Sequence, residues 1–112
     1  MDNEYVVILC IINNGFSETA MEAAKKQGAR GGTVIHGRGT ASKEAEKFFN
    51  ISIQPEKEIV MILAKKEIKD AILKDLYNAV GTSTPAQGIA FALPVDDVVG
   101  IHTNVKKEKA DK

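Results

Sequence analysis

The chain has 112 residues, 44% of them hydrophobic and 27% charged, the make-up of one ordinary globular domain. Fifteen Lys and Arg balance fifteen Asp and Glu, which excludes a global electrostatic pull toward nucleic acid or an anionic membrane. No apolar run approaches the ~20 residues that span a bilayer, so no direct membrane insertion is expected. The acidic start, Met1-Asp2-Asn3-Glu4, does not read as a secretory signal, and the cytoplasm is the expected location.

Residues 5 to 12 form a continuous β-branched stretch, the pattern of a central strand apolar on both faces. Its Cys10 reads as a small core hydrophobe, since nothing electropositive near it in sequence favours a thiolate. Asn13-Asn14-Gly15 breaks the strand. Ser17 is the expected N-cap of a helix with Glu18 in its first turn. Ala20, Ala23 and Ala24 give that helix a narrow face, and Gly28 is its C-terminal cap. Thr33 to His36 is a second strand.

Residues 39 to 56 then make an excursion too long for a tight turn, in which Ser42 to Phe49 is a short helix. Lys57 to Ala64 is a third strand. Lys65 to Val80 is helical, with Ile68, Ile72, Leu76 and Val80 on one face and Leu73 and Tyr77 widening it. Gly81 ends it, and a polar loop leads to a fourth strand, Ile89 to Leu93, stopped by Pro94. Asp96 to Gly100 reads as one helical turn, and residues 104 to 112 as a disordered, charged tail.

The order strand, helix, strand, strand, helix, strand is the ferredoxin-like βαββαβ layout of an α+β protein. It predicts an antiparallel four-stranded sheet with two helices on one face. Strands apolar on both faces need a second cover, and other subunits are the expected one.

Catalytic patterns are thin. His36 and His102 stand in no metal-ligand spacing. Adjacent Asp96 and Asp97 suit a helix start, and Gly-Arg-Gly is not GxGxxG. No catalytic residue and no metal ligand is expected, and the chain does not read as an enzyme. Binding signals are better. Gly37-Arg38-Gly39-Thr40 follows a strand, glycines admit close backbone approach, and Arg offers a forked donor to phosphate or carboxylate. The glycine-bearing loop 81 to 88 also leads into a strand. Such loops suit a small anionic ligand.

Three pieces in order, "IIN" at 11 to 13, "GARGGTVIHGRGT" at 28 to 40 and "GIAFALPVDDVVGI" at 88 to 101, resemble the PII signal-transduction family and its PII-like relatives. The resemblance covers roughly Tyr5 to Thr103, so residues 1 to 103 are read as one PII-like domain. It implies a homotrimer that binds an adenine nucleotide in clefts between subunits. A protruding T-loop, here 39 to 56, would report the ligand state to a transporter, metabolic enzyme or regulator. By position, Gly37, Arg38, Gly39 and Thr40 match the base of that loop, around the phosphates. Gly31 and Thr33 match the adenine side. Gln87 and Gly88 match the end of a second loop whose backbone meets phosphates, and Glu58 and Val60 match the strand lining the base pocket.

The chain departs from the family at several cations. Ile89 stands where a basic residue is expected, and Gly100 and His102 where an arginine pair is. Each charged hydrogen bond contributes ~1.5–3 kcal/mol, so triphosphate binding should be weaker. AMP, ADP, ATP or a cyclic nucleotide are the candidate ligands, with no tightly bound cofactor. The excursion holds no tyrosine, which disfavours uridylylation.

Three other readings compete. A trimeric metal-tolerance protein resembling the CutA group would rest on His36 and Cys10. An acylphosphatase would rest on Arg38 and Asn50. A nucleic-acid binder lacks paired stacking aromatics, which are 5% of the chain. Phe48 and Phe49 either pack the excursion onto the protein or anchor a partner.

Overall fold

The computed structural model describes residues 4–40, 47 and 55–101. The elements run β1 (Tyr5–Asn13), α1 (Ser17–Lys26), β2 (Thr33–Arg38), β3 (Glu56–Lys65), a 3-10 turn (Lys66–Ile68), α2 (Lys69–Val80) and β4 (Ile89–Pro94). The strands form one sheet in the order β2-β3-β1-β4, every neighbouring pair antiparallel. This is the ferredoxin-like arrangement expected from the element order. The expected short helix at 42 to 49 and the expected tail at 104 to 112 lie outside the described residues, apart from Lys47.

Alternation decides which side chains meet the helices. Cross-strand partners share a face, so Ile8 with Ile62 and Cys10 with Val60 face one way. Along β1, Val6, Ile8, Cys10 and Ile12 are all buried, as are Val60, Ile62 and Ala64 along β3. Against them α1 packs Ala20, Ala23 and Ala24, and α2 packs Ile72, Leu76 and Val80. Three alanines let α1 lie close to the sheet. The chain returning from α1 passes tight against β3. A Cβ on Gly32 would stand 2.9 Å from the Met61 carbonyl oxygen, so no larger residue fits there without movement.

Several local expectations are corrected. Ser17 is already the first helical residue of α1; Phe16 takes the N-cap position, with no side-chain capping bond. Gly28 does sit just past the helix, at φ +107, and its N–H donates to the Lys25 carbonyl at 3.0 Å, a left-handed C-terminal stop. β2 runs on through Gly37 and Arg38, which pair with Lys57 and Glu56. Tyr77 does not widen the buried face of α2, being 62% exposed. Asp96 to Gly100 form no helical turn. Val99 is 94% exposed and only Val98 of the segment is half-buried, so little packing offsets the cost of nucleating a turn.

Burial pushes the Cys10 thiol up from 9.0 to about 11. The unfolded chain gives up that proton near 9 and the folded chain only near 11, so the unfolded state binds fewer protons between them. Cys10 therefore stabilises the fold fully below about pH 9, and this contribution declines as pH rises toward 11, at up to about 1.4 kcal/mol per unit. Urea denaturation of wild type and Cys10→Ala should show a constant stability difference below pH 9 that narrows above it.

The second sheet face carries Val7, Leu9 and Ile11 from β1, Ile59, Met61 and Leu63 from β3, Ile35 from β2, and Ile89, Phe91 and Leu93 from β4. No element among the described residues covers it, and Phe91 and Leu93 are 39% and 44% exposed. A continuous apolar face across four strands marks an interaction surface.

Candidate functional site: one end of the sheet and two loops

β1 ends at Asn13, β2 at Arg38, and β3 begins at Glu56, so three chain segments meet at one end of the sheet. Gly39 N–H donates to the Pro55 carbonyl at 2.6 Å, closing the neck of the excursion. The loop after α2 reaches the same end, because Asn13 N–H donates to the Ala86 carbonyl at 2.9 Å. Gly37, Arg38, Gly39, Thr40, Glu58, Gln87 and Gly88 thereby lie toward one end of the sheet, spread across it from β2 to the start of β4.

The 81–88 loop is held from inside. Thr84 Oγ1 donates to the Gly81 carbonyl at 2.8 Å and accepts from Ala86 N–H at 3.3 Å. Gln87 N–H donates to the Thr84 carbonyl, and Gly88 N–H to the Val80 carbonyl at 2.7 Å. These two amides, matched by resemblance to phosphate donors, are thus engaged within the protein. Gly88 is required by space: a Cβ there would stand 2.4 Å from the Val80 oxygen and 2.6 Å from Ile12 Cγ2.

Glu58 is buried on the helix side of β3. One carboxylate oxygen accepts from Gly15 N–H at 3.0 Å, at the entry to α1, and the other lies 4.0 Å from His36 Nδ1. A carboxylate before the first helical turn also favours the helix dipole. Val60 is fully buried in the helix-facing core. Gly31 and Thr33 lie away from this cluster. Five strand steps separate Thr33 from Arg38, about 17 Å. Gly31 instead lines a cavity of about 300 Å³ with Gly28, Arg30, Tyr5, Lys65 and Ile101. Lys65 there lies 3.6 Å from Glu4 and 5.9 Å from the Tyr5 ring centroid.

Four residues at these places escaped the sequence reading. Arg30 and Lys65 line the cavity beside Gly31. Asn13, only 6% exposed, accepts from Lys57 Nζ at 2.7 Å and donates to the Pro85 carbonyl at 3.1 Å. Asn13 had two sequence signals, its place in the "IIN" piece of the family resemblance and its place at a strand end, and neither pointed to a bond with Lys57 or Pro85.

The four-stranded antiparallel sheet with its two helices defines a small ferredoxin-like protein. A family model described as nitrogen regulatory protein P-II matches residues 6–105, and the chain belongs to that family. It is 25% identical over 117 residues to a nitrogen regulatory protein P-II homolog of Arabidopsis thaliana, covering 99% of this chain but 60% of that one. The fold matches the crystal structure of Arabidopsis thaliana PII bound to citrate with a TM-score of 0.67 at 22% identity, over 99% of this chain and 97% of that one. It also matches a B. subtilis GlnK–ATP complex with a TM-score of 0.64 at 17% identity, over 91% and 92% of the two chains.

Proposed function

We propose that the protein is a PII-type sensor, a homotrimer that takes an adenine nucleotide in clefts between subunits and signals to a partner protein. The observation that carries this reading is the division of the matched residues. Arg38, Gly39 and Gln87 stand at one end of the sheet, and Gly31 and Thr33 stand about 17 Å away along β2. Neither half surrounds a nucleotide alone. A cyclic assembly over the apolar sheet face would bring one half of each subunit to the other half of its neighbour.

Each half has its own chemistry in this account. The Gly31 side offers an apolar cavity floor for a base, with Arg30 and Lys65 as cations. The Arg38 side offers a guanidinium and Lys57 to phosphates. These cations offset part of the deficit left by Ile89, Gly100 and His102. The likeness to PII proteins with citrate and with ATP supports an anionic ligand of this class. The segment 39 to 56 would carry the signal to a transporter or metabolic enzyme of the cytoplasm, with nitrogen-type metabolic regulation as the process by family.

The metal-tolerance alternative is less well supported. Cys10 pairs with Val60, and Val60 with Val34, so Cys10 and His36 lie in different rows of the sheet. Among the described residues no three His, Cys, Asp or Glu side chains are grouped to hold a metal ion.

An isothermal titration panel of AMP, ADP, ATP and cyclic AMP tests the ligand class. Binding of at least one below millimolar concentration is expected; no binding at millimolar nucleotide removes the reading. Arg38 is exposed at the end of β2, so Arg38→Ala should leave stability within about 0.5 kcal/mol. It should weaken ATP binding by about ten-fold or more, the effect of one charged hydrogen bond.

A further inference from the structure

The carboxamide of Asn13 connects the neck of the excursion to the 81–88 loop. Its Oδ1 accepts from Lys57 at 2.7 Å. Its Nδ2 donates to the Pro85 carbonyl at 3.1 Å and toward Gln87 Oε1 at 3.4 Å. Only one orientation of the amide satisfies these partners. Turned over, its NH2 would face an ammonium and its oxygen would face a carbonyl. Each end of the connector therefore depends on the other.

Lys57 is the end open to influence. Its stem passes the neck, where a Cβ on Gly39 would stand 3.0 Å from Lys57 Cε. An anion held by Arg38 at this neck, where the Gly39 N–H is itself engaged by the Pro55 carbonyl, attracts the same ammonium that Asn13 holds. When that ammonium moves, Oδ1 is left buried without a donor, at a cost comparable to that of a lost hydrogen bond. The amide recovers a partner only by releasing the loop. Gln87 is the residue most affected. Among the described residues it alone, apart from glycines, holds a positive φ, +48, a conformation that contacts must maintain.

We propose that Asn13 is a positioning residue that couples anion occupancy beside Arg38 and Gly39 to the conformation of the 81–88 loop, with Lys57 as the moving part. The inference rests on the reading of that neck as an anion site.

Amide hydrogen exchange on the full chain, followed by NMR, tests it in two arms. Without ligand, Lys57→Met should speed exchange at Gln87 and Gly88 by about ten-fold, and Lys57→Arg should restore the wild-type rate. Asn13→Asp should speed the same two amides, because it keeps an acceptor for Lys57 but loses the donor to Pro85. Lys57 makes no direct bond to that loop, so a purely local role leaves Gln87 and Gly88 unchanged in Lys57→Met and overturns the proposal. Equal acceleration at core amides such as Ile8 and Val60 overturns it as well. In the second arm, ATP should shift the side-chain amide signals of Asn13 in wild type and not in Lys57→Met. A shift retained in Lys57→Met overturns the role of Lys57. No response of wild type to ATP removes the nucleotide reading, while the exchange result still decides whether the two loops are connected.

Discussion

Replacing Leu9 with Asp is expected to release single chains of 12.1 kDa from the proposed homotrimer, about three times that mass. Leu9 lies in the middle of the uncovered face, paired with Met61 on one side and Phe91 on the other. It points away from the helix-packed core, so the substitution leaves that core intact. A carboxylate buried between apolar faces loses several kcal/mol of hydration with no cation to offset it, and a threefold assembly carries the change three times. Size-exclusion chromatography with light scattering reads the outcome. As a control, Lys26→Asp on the exposed side of α1 leaves the assembly unchanged. If Leu9→Asp elutes with wild type, the apolar face is not the subunit interface.

Gly88→Ala lowers stability by about 3 kcal/mol, near the upper range for overpacking. The new methyl group would overlap the Val80 carbonyl, which is the acceptor of the Gly88 N–H, and Ile12 in the core. The backbone must move, and that hydrogen bond is lost with the movement. Since Gln87 precedes it, the same change displaces the candidate ligand loop, and ATP affinity falls with stability. Gly31→Ala is the matched comparison, because a Cβ there meets nothing within 4 Å, and its stability stays within about 0.5 kcal/mol of wild type. Urea unfolding of both variants distinguishes a steric role from a general dislike of replacing glycine. Equal stability of Gly88→Ala and wild type contradicts the tight approach.

The sheet and its helix layer were legible because alternation and helical periodicity repeat over many residues. Ile8, Ile12, Ile72 and Leu76 announced their faces, and Gly28 its helix end. The uncovered face was legible for the same reason, since β1 is apolar at odd and even positions alike. Errors fell where one or two residues decide the outcome. Tyr77 continues the apolar pattern of α2 but points to solvent, and Asp96 to Gly100 hold helix-start residues with little packing.

The candidate site was legible only as two glycine-rich segments. Its connections join residues far apart in the chain: Lys57 lies 44 positions from Asn13, and Gln87 lies 74. No local pattern encodes such a meeting. The shortage of cations inferred from Ile89, Gly100 and His102 was a comparison of matched positions. It did not include Lys57, Arg30 and Lys65, which the fold brings to the two halves from elsewhere in the chain.

Native mass spectrometry with added ATP tests the shared-cleft account most directly. The expected spectrum shows a homotrimer of about 36 kDa, three times the 12.1 kDa chain, gaining nucleotides in steps up to three, while Leu9→Asp gives single chains that gain none. Nucleotide bound stoichiometrically to single chains, or a trimer that retains none at millimolar ATP, contradicts it.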